Sequence, residues 1–198
     1  MENKPFITKY VAKKRLSLIL KGLQQHEKKI PKEKMKIIDV GCGDGFFTKE
    51  LRNRGYNVTA IDKNTPETAP WMAFQPDKVM DAMSLSFKDN TFDVAIALEV
   101  VEHVPCIPEI NRVLKPKGIF FCSTPTPNTE WLRHIVVFLH LLEAQDFEHH
   151  DHIVDLRTAP MKLLSYKRMF LQASQFGIFT KMDAKPKSEE INAPSSLK

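Results

Sequence analysis

Along the first thirty residues, apolar positions return at helical spacing. Phe6, Tyr10, Val11, Leu16, Ile19, Leu20 and Leu23 alternate with Lys9, Lys13, Lys14, Arg15 and Lys21. That period predicts one amphipathic helix with its apolar stripe turned inward and its lysine face in water. Pro31 breaks the pattern, and Met35 to Val40 reads as a first buried strand. Phe46 to Arg54 predicts a helix, with Asp44 as its N-cap and Gly55 as its stop. Tyr56 to Ile61 is a second strand. Pro66, Pro70 and Pro76 mark a loop with one helical turn around Trp71, followed by a short strand near Val79-Met80. Phe92 to Leu98 is a fourth, apolar strand. Ile107 to Leu114 is a short helix closed by the turn Lys115-Pro116-Lys117-Gly118, and Ile119 to Ser123 is a fifth strand.

Strands alternating with helices predict an α/β fold, with a mostly parallel sheet covered on both faces. Beyond Thr124 the rhythm changes. Pro125-Thr126-Pro127-Asn128 is a loop, Trp131 to Leu142 an inserted helix that is apolar on most of its circumference, Leu164 to Gln175 another helix, and Phe179 to Met182 a weak last strand. The chain is thus expected to be one domain over residues 1–185. Residues 1–30 carry the N-terminal helix, 129–152 an inserted helix and a histidine-rich loop, and 186–198 a polar, disordered tail.

Composition alters this picture little. A chain of 198 residues with 42% hydrophobic positions can bury its own core. Cys42, Cys106 and Cys122 form no C-x-x-C pair, which argues against both a disulfide framework and a zinc site. Met1 to Pro5 lacks the apolar core of a secretory signal and no apolar run is long enough to span a bilayer, so a cytoplasmic location is expected. The net charge of +5 invites a nucleic-acid partner. The basic residues concentrate on the first helix, however, where a solvated face explains them.

The chemistry is carried by Asp39-Val40-Gly41-Cys42-Gly43-Asp44-Gly45, placed where a strand turns sharply into a helix. Glycines there let a ligand approach the main chain, beside a helix end with unpaired amide donors. The third glycine comes one residue too early for G-x-G-x-x-G, and Phe46 stands where a dinucleotide fingerprint needs glycine or alanine. A nicotinamide or flavin cofactor is therefore disfavoured. Asp62 ends the second strand about 20 residues on, where a carboxylate can accept hydrogen bonds from ribose hydroxyls. Together the two features imply an adenosine-containing ligand.

The segment Ile37 to Gly45 resembles the first motif of class I S-adenosylmethionine-dependent methyltransferases. Asp81 to Phe87 resembles the adenine-cradling segment of that family, running into Asn90 to Ile96 at the entry to the fourth strand. Leu98-Glu99-Val100-Val101-Glu102-His103-Val104 and Arg112 to Gly118 are similar to the branch of the ubiquinone and menaquinone biosynthesis methyltransferases, with Lys117 where glycine is more usual. The resemblance covers roughly 35–128 and implies a Rossmann-like sheet with S-adenosyl-L-methionine as cofactor. It also implies that Gly41, Cys42 and Gly43 pack on the methionine part, that Asp39 lies near its amino group and that Asp62 holds the ribose. Asp81 and Ala82 face the adenine, and Leu98 with Glu99 lies below the sulfonium. Sheets of this family end in an antiparallel hairpin, whereas only one strand is read here after the last helix. The sheet is expected to be either shortened at that edge or completed by a strand hidden in the tail.

Alignment of the acceptor with a sulfonium methyl group is mainly a matter of proximity, and a base adds most for a hydroxyl acceptor. His149, His150 and His152 are the candidate catalytic residues; no second ligand cluster accompanies them, so no metal site is expected. Glu102 and His103 read as capping and packing residues. The function expected is methyl transfer to an oxygen or nitrogen of a small molecule. The inserted helix could grip a lipid-like acceptor or lie on a membrane surface. The alternatives are an RNA or protein methyltransferase and a domain that binds the cofactor without turnover.

Overall fold

The computed structural model describes residues 4–70, 72–127, 129, 154–170 and 172–181. The expectations for Trp71, the inserted helix Trp131 to Leu142, the histidine-rich loop, Met182 and the tail 186–198 fall outside them.

The elements are α1 (Phe6–Glu27), β1 (Lys36–Val40), α2 (Phe46–Arg52), β2 (Asn57–Asp62), β3 (Lys78–Val79), β4 (Phe92–Leu98), α3 (Ile107–Val113), β5 (Leu114–Pro125), β6 (Lys162–Met169) and β7 (Ser174–Thr180). A seven-stranded sheet takes the order β3-β2-β1-β4-β5-β7-β6. Its first five strands are parallel, and β7 pairs antiparallel with both β5 and β6. The chain winds outward from β1 to β3 and then returns to β4 on the other side of β1. This reversal opens a crevice beyond the carboxyl ends of β1 and β4, where sheets of this kind bind ligands.

Both faces are covered, as nearly continuous apolar strands require. Leu16, Ile19 and Leu23 of α1 and Leu51 of α2 pack on Ile37, Val94, Ile96 and Phe121. Ile107, Ile110 and Val113 of α3 pack on Ile38, Val40, Ala95, Ala97 and Phe120 on the opposite face. Each such side chain contributes roughly 1.5–3 kcal/mol on burial. A Cβ on Gly22 would stand 2.6 Å from the Phe121 ring, so this glycine in mid-helix lets α1 settle directly on β5. Among the described residues, no helix is long and apolar enough to cross a membrane.

Three expectations need correction. The predicted helix from Leu164 to Gln175 is a β-hairpin, so the sheet is not shortened: β6 and β7 complete its edge. A register shift between Leu163 and Ser165 breaks the two-residue alternation. The turn carries Phe170 and Gln172 at positive φ rather than glycine, so neither strand signal was visible. Lys115 to Gly118 does not end an element but bulges within β5, with Phe92 opposite Leu114 and Val94 opposite Ile119. Finally, Gly45 rather than Asp44 occupies the N-cap of α2, at φ 72°, and Asp44 Oδ1 accepts from the Phe46 N–H at 3.1 Å.

Candidate functional site

The crevice is built from the loop after β1. Gly41 and Gly43 have φ of 69° and 52°, a region that only glycine enters at low cost. The Gly41 and Cys42 amides both donate to the Ile61 carbonyl, at 2.9 and 3.0 Å, which ties the loop to the end of β2. The glycines do different work. A Cβ on Gly41 would meet Val100 Cγ2 at 2.6 Å and one on Gly45 would overlap the Phe74 ring, whereas a Cβ on Gly43 meets nothing within 4 Å. Gly43 therefore faces open space. Gly45→Ala is expected to cost about 2–3 kcal/mol through overlap and a disfavoured φ, read as a fall in Tm on thermal unfolding.

Two buried carboxylates flank this space. Asp62 Oδ2 accepts from the Gly43 N–H and Oδ1 from the Asn64 N–H, both at 3.0 Å. Asp39 accepts from the Thr48 hydroxyl at 2.6 Å, and burial pushes its pKa up to about 6 despite that bond. A buried anion with one neutral donor is short of compensation, so the site favours a cation placed beside it. Cys42 lies between them, its thiol pushed far up by burial and the two carboxylates, and is chemically inert. Asp81 and Ala82 follow β3 beside the same crevice; the Met80 N–H donates to the Asp62 carbonyl at 2.9 Å. The Asp81 carboxylate accepts from the Met83 N–H at 2.8 Å in an exposed turn.

Beyond β4, Glu99 sits at φ 58°, a strained conformation for a side-chain-bearing residue. It is held there by Arg15 Nη2 at 2.6 Å and by the Ser123 hydroxyl at 3.0 Å, both on Oε1, while Arg15 also donates to Ser174 Oγ at 3.0 Å. Glu102 lies behind it, 1% exposed, with neither carboxyl oxygen hydrogen-bonded. Burial first and then Glu99 raise its pKa to about 8; Thr124 stands close enough to favour the ion without making a bond of good geometry. The Thr124 and Thr126 hydroxyls are likewise buried and unpartnered. Buried polar atoms without a partner cost about 1–3 kcal/mol each, which makes this group a candidate for contact with a ligand.

Of the residues expected from sequence, Asp62 is bonded to Gly43 of the glycine loop and Asp39 to Thr48 at the start of α2, Asp81 and Ala82 follow β3, and Leu98 and Glu99 stand at the end of β4. Sequence reading missed Arg15, Ser123 and Thr124, and read Glu102 as structural. His149, His150 and His152 lie outside the described residues. Among the described residues no cluster of three or more His, Cys, Asp or Glu could hold a metal ion.

A parallel sheet with its reversal at β1 and β4, a glycine loop and an acidic end on each of β1 and β2 define a Rossmann-like domain for an adenosine-bearing ligand. A family model described as a methyltransferase domain matches residues 10–173, and the chain belongs to that family. Its cofactor is S-adenosylmethionine. A Rickettsia typhi protein named ubiquinone biosynthesis O-methyltransferase is 37% identical over 120 residues, covering 56% of this chain and 48% of that one. A Colwellia psychrerythraea protein of the same name is 31% identical over 145 residues, covering 67% and 58%. The chain thus spans about half the length of the curated relatives it matches. A solved structure from Methanosarcina mazei, described as a SAM-dependent methyltransferase, superposes with a TM-score of 0.52 at 22% identity, covering 74% of this chain and 92% of that one. It shares the fold.

Proposed function

We propose that this domain transfers the methyl group of S-adenosylmethionine to an oxygen of a small, lipid-like molecule. The observation that carries the reading is the crevice between β1 and β4. There Gly43 leaves open space between the Asp39 and Asp62 carboxylates. The relatives' printed name supports oxygen over nitrogen as the acceptor atom.

The residues fit the cofactor. Asp62 would accept from the ribose hydroxyls, and the ionised Asp39 would face the cationic amino group. Gly41, Cys42 and Gly43 would lie against the methionine part, Asp81 and Ala82 along the adenine, and Leu98 and Glu99 under the sulfonium. The bound cofactor supplies an electrophilic methyl group. The chain's own residues hold the acceptor in line and exclude water. Arg15 and Ser123 fix the Glu99 carboxylate, so Glu99 and the buried hydroxyls of Thr124 and Thr126 can orient an acceptor hydroxyl. Glu102 can take its proton, as can one of His149, His150 and His152 in the proposed histidine-rich loop. The reading assigns the domain to the cytoplasm, with contact at a membrane surface where a lipid-like acceptor resides.

The test is transfer of a radiolabelled methyl group to a panel of phenols, catechols, amines and RNA. Label in a methyl ether supports the reading. Label in RNA alone would overturn it in favour of a nucleic-acid acceptor, and binding without transfer to any acceptor would point to a non-catalytic domain.

Donor affinity should also depend on pH. Burial raises the Asp39 pKa to about 6, so its contribution to stability of the free protein is present at low pH and lost as pH rises from about 4 through 6. Donor binding runs the other way, because only the ionised carboxylate attracts the donor's cation. Affinity is expected to rise about tenfold between about pH 5 and pH 7 and then level off. Asp39→Asn should flatten that profile, as fluorescence titration at several pH values would reveal.

A further inference from the structure

Gln175 of β7 is fully buried, and its carboxamide is fully engaged. Nε2 donates to the Pro125 carbonyl at 2.9 Å and to the Val154 carbonyl. Oε1 accepts from the Leu156 N–H at 3.1 Å and from the Tyr166 hydroxyl at 3.4 Å. Two donors and two lone pairs are all that a carboxamide has. Turned about, it would set its oxygen against two carbonyls, so it is held in one orientation. One side chain thus joins the end of β5, residues 154–156 and β6 into a single unit.

The consequence falls on Thr124, which stands opposite Gln175 across β5 and β7. Paired residues put their side chains on the same face of a sheet, so the carboxamide is the lateral neighbour of the Thr124 side chain. That hydroxyl is nevertheless buried without a partner, because Gln175 has no donor or lone pair left to offer it. The Glu102 carboxyl lies near the same hydroxyl and is likewise unbonded. The bond from Nε2 to Pro125 fixes the backbone between Thr124 and Thr126, the two residues whose buried hydroxyls lack partners. A buried hydroxyl left unmade is costly until a ligand completes it, and a rigid support makes its direction selective.

We propose that Gln175 is a positioning residue that sets the regiochemistry of methyl transfer by keeping the Thr124 hydroxyl free and fixed. An acceptor with two adjacent hydroxyls is then held through one of them and methylated on the other. The methyl group passes from the donor's sulfur to that second oxygen, whose proton goes to the site's base, leaving S-adenosylhomocysteine. The proposal rests on the oxygen-acceptor reading and adds to it the residue that chooses between two oxygens.

The test is the ratio of meta- to para-methyl ether formed from a long-chain alkyl ester of protocatechuic acid, an unsymmetrical catechol. Gln175→Glu keeps the shape of the side chain but loses both donors, and Thr124→Val removes the hydroxyl without orphaning a partner. The wild type is expected to give one ether in at least about tenfold excess, and either variant to bring the ratio within about threefold. Donor affinity should stay within about twofold of wild type in both, since neither residue touches the glycine loop. The double variant should shift the ratio no further than Thr124→Val alone, because Gln175 acts through that hydroxyl. Should Gln175→Glu fail to fold, Tyr166→Phe removes one of the four bonds and should move the ratio the same way, by less. A ratio unmoved by Thr124→Val, or shifts that add in the double variant, would overturn the proposal. A lower rate and Tm at constant ratio would do so too, leaving Gln175 a structural residue. A wild type that labels neither oxygen of the ester while binding the donor would instead overturn the oxygen-acceptor reading, and this proposal with it.

Discussion

Asp62→Ala is expected to weaken S-adenosylmethionine binding by at least about a hundredfold while the sheet stays folded. Asp62 is 8% exposed and uses its two oxygens on backbone amides of the glycine loop and of Asn64, so its position is fixed before any ligand arrives. A carboxylate so placed gives charge-assisted hydrogen bonds to two vicinal hydroxyls, each contributing about 1.5–3 kcal/mol. Loss of two such bonds amounts to about 3 kcal/mol or more, which is a factor of about a hundred. The variant also leaves the Gly43 N–H without its partner, and so loosens the loop. Equilibrium dialysis with labelled donor, beside a thermal melt, separates the two effects. Affinity within about threefold of wild type would remove Asp62 from the ligand's path.

Glu102→Gln should raise stability, and should do so in a pH-dependent way. Burial and the neighbouring Glu99 lift the Glu102 pKa to about 8, well above the ordinary carboxyl range. The folded state therefore holds a proton that the unfolded chain releases. Its contribution to stability is complete below about pH 4.5 and is lost as pH rises through about 8. A glutamine cannot ionise and escapes that loss. The gain should be on the order of 3 kcal/mol at about pH 8, or roughly 6–12 °C in Tm, and under about 1 kcal/mol at about pH 5. Methyl transfer should fall in the same variant, since an acid kept at such a cost beside the unpartnered Thr124 and Thr126 belongs to the acceptor's site. Calorimetric melts at the two pH values measure the first effect. A variant no more stable than wild type near pH 8 would show that the carboxyl is not forced to hold its proton.

Most of the sheet was legible because its central strands are buried on both faces, and runs such as Phe92 to Leu98 have no other reading. The glycine loop and the acidic end of β2 were legible as a candidate cofactor site because they fall at fixed separation along one β-α-β unit. The hairpin was not. Good helix formers fill Leu164 to Gln175, a bulge hides the alternation of β6, and its turn lacks glycine. Tertiary pairing with β5 overrode that local preference. Arg15 was invisible for another reason: its partners Glu99 and Ser174 lie 84 and 159 residues away, and within α1 it looks like one more cation on a solvated face. Glu102 reads as a helix-capping residue from sequence alone. Only its burial without a partner sets it apart.

The central claim is that the crevice beyond β1 and β4 holds S-adenosylmethionine, and calorimetric titration of the 198-residue chain tests it most directly. The expected result is one site of micromolar affinity for S-adenosylmethionine and for S-adenosylhomocysteine near neutral pH. A folded protein giving no heat with either ligand at millimolar concentration would contradict it.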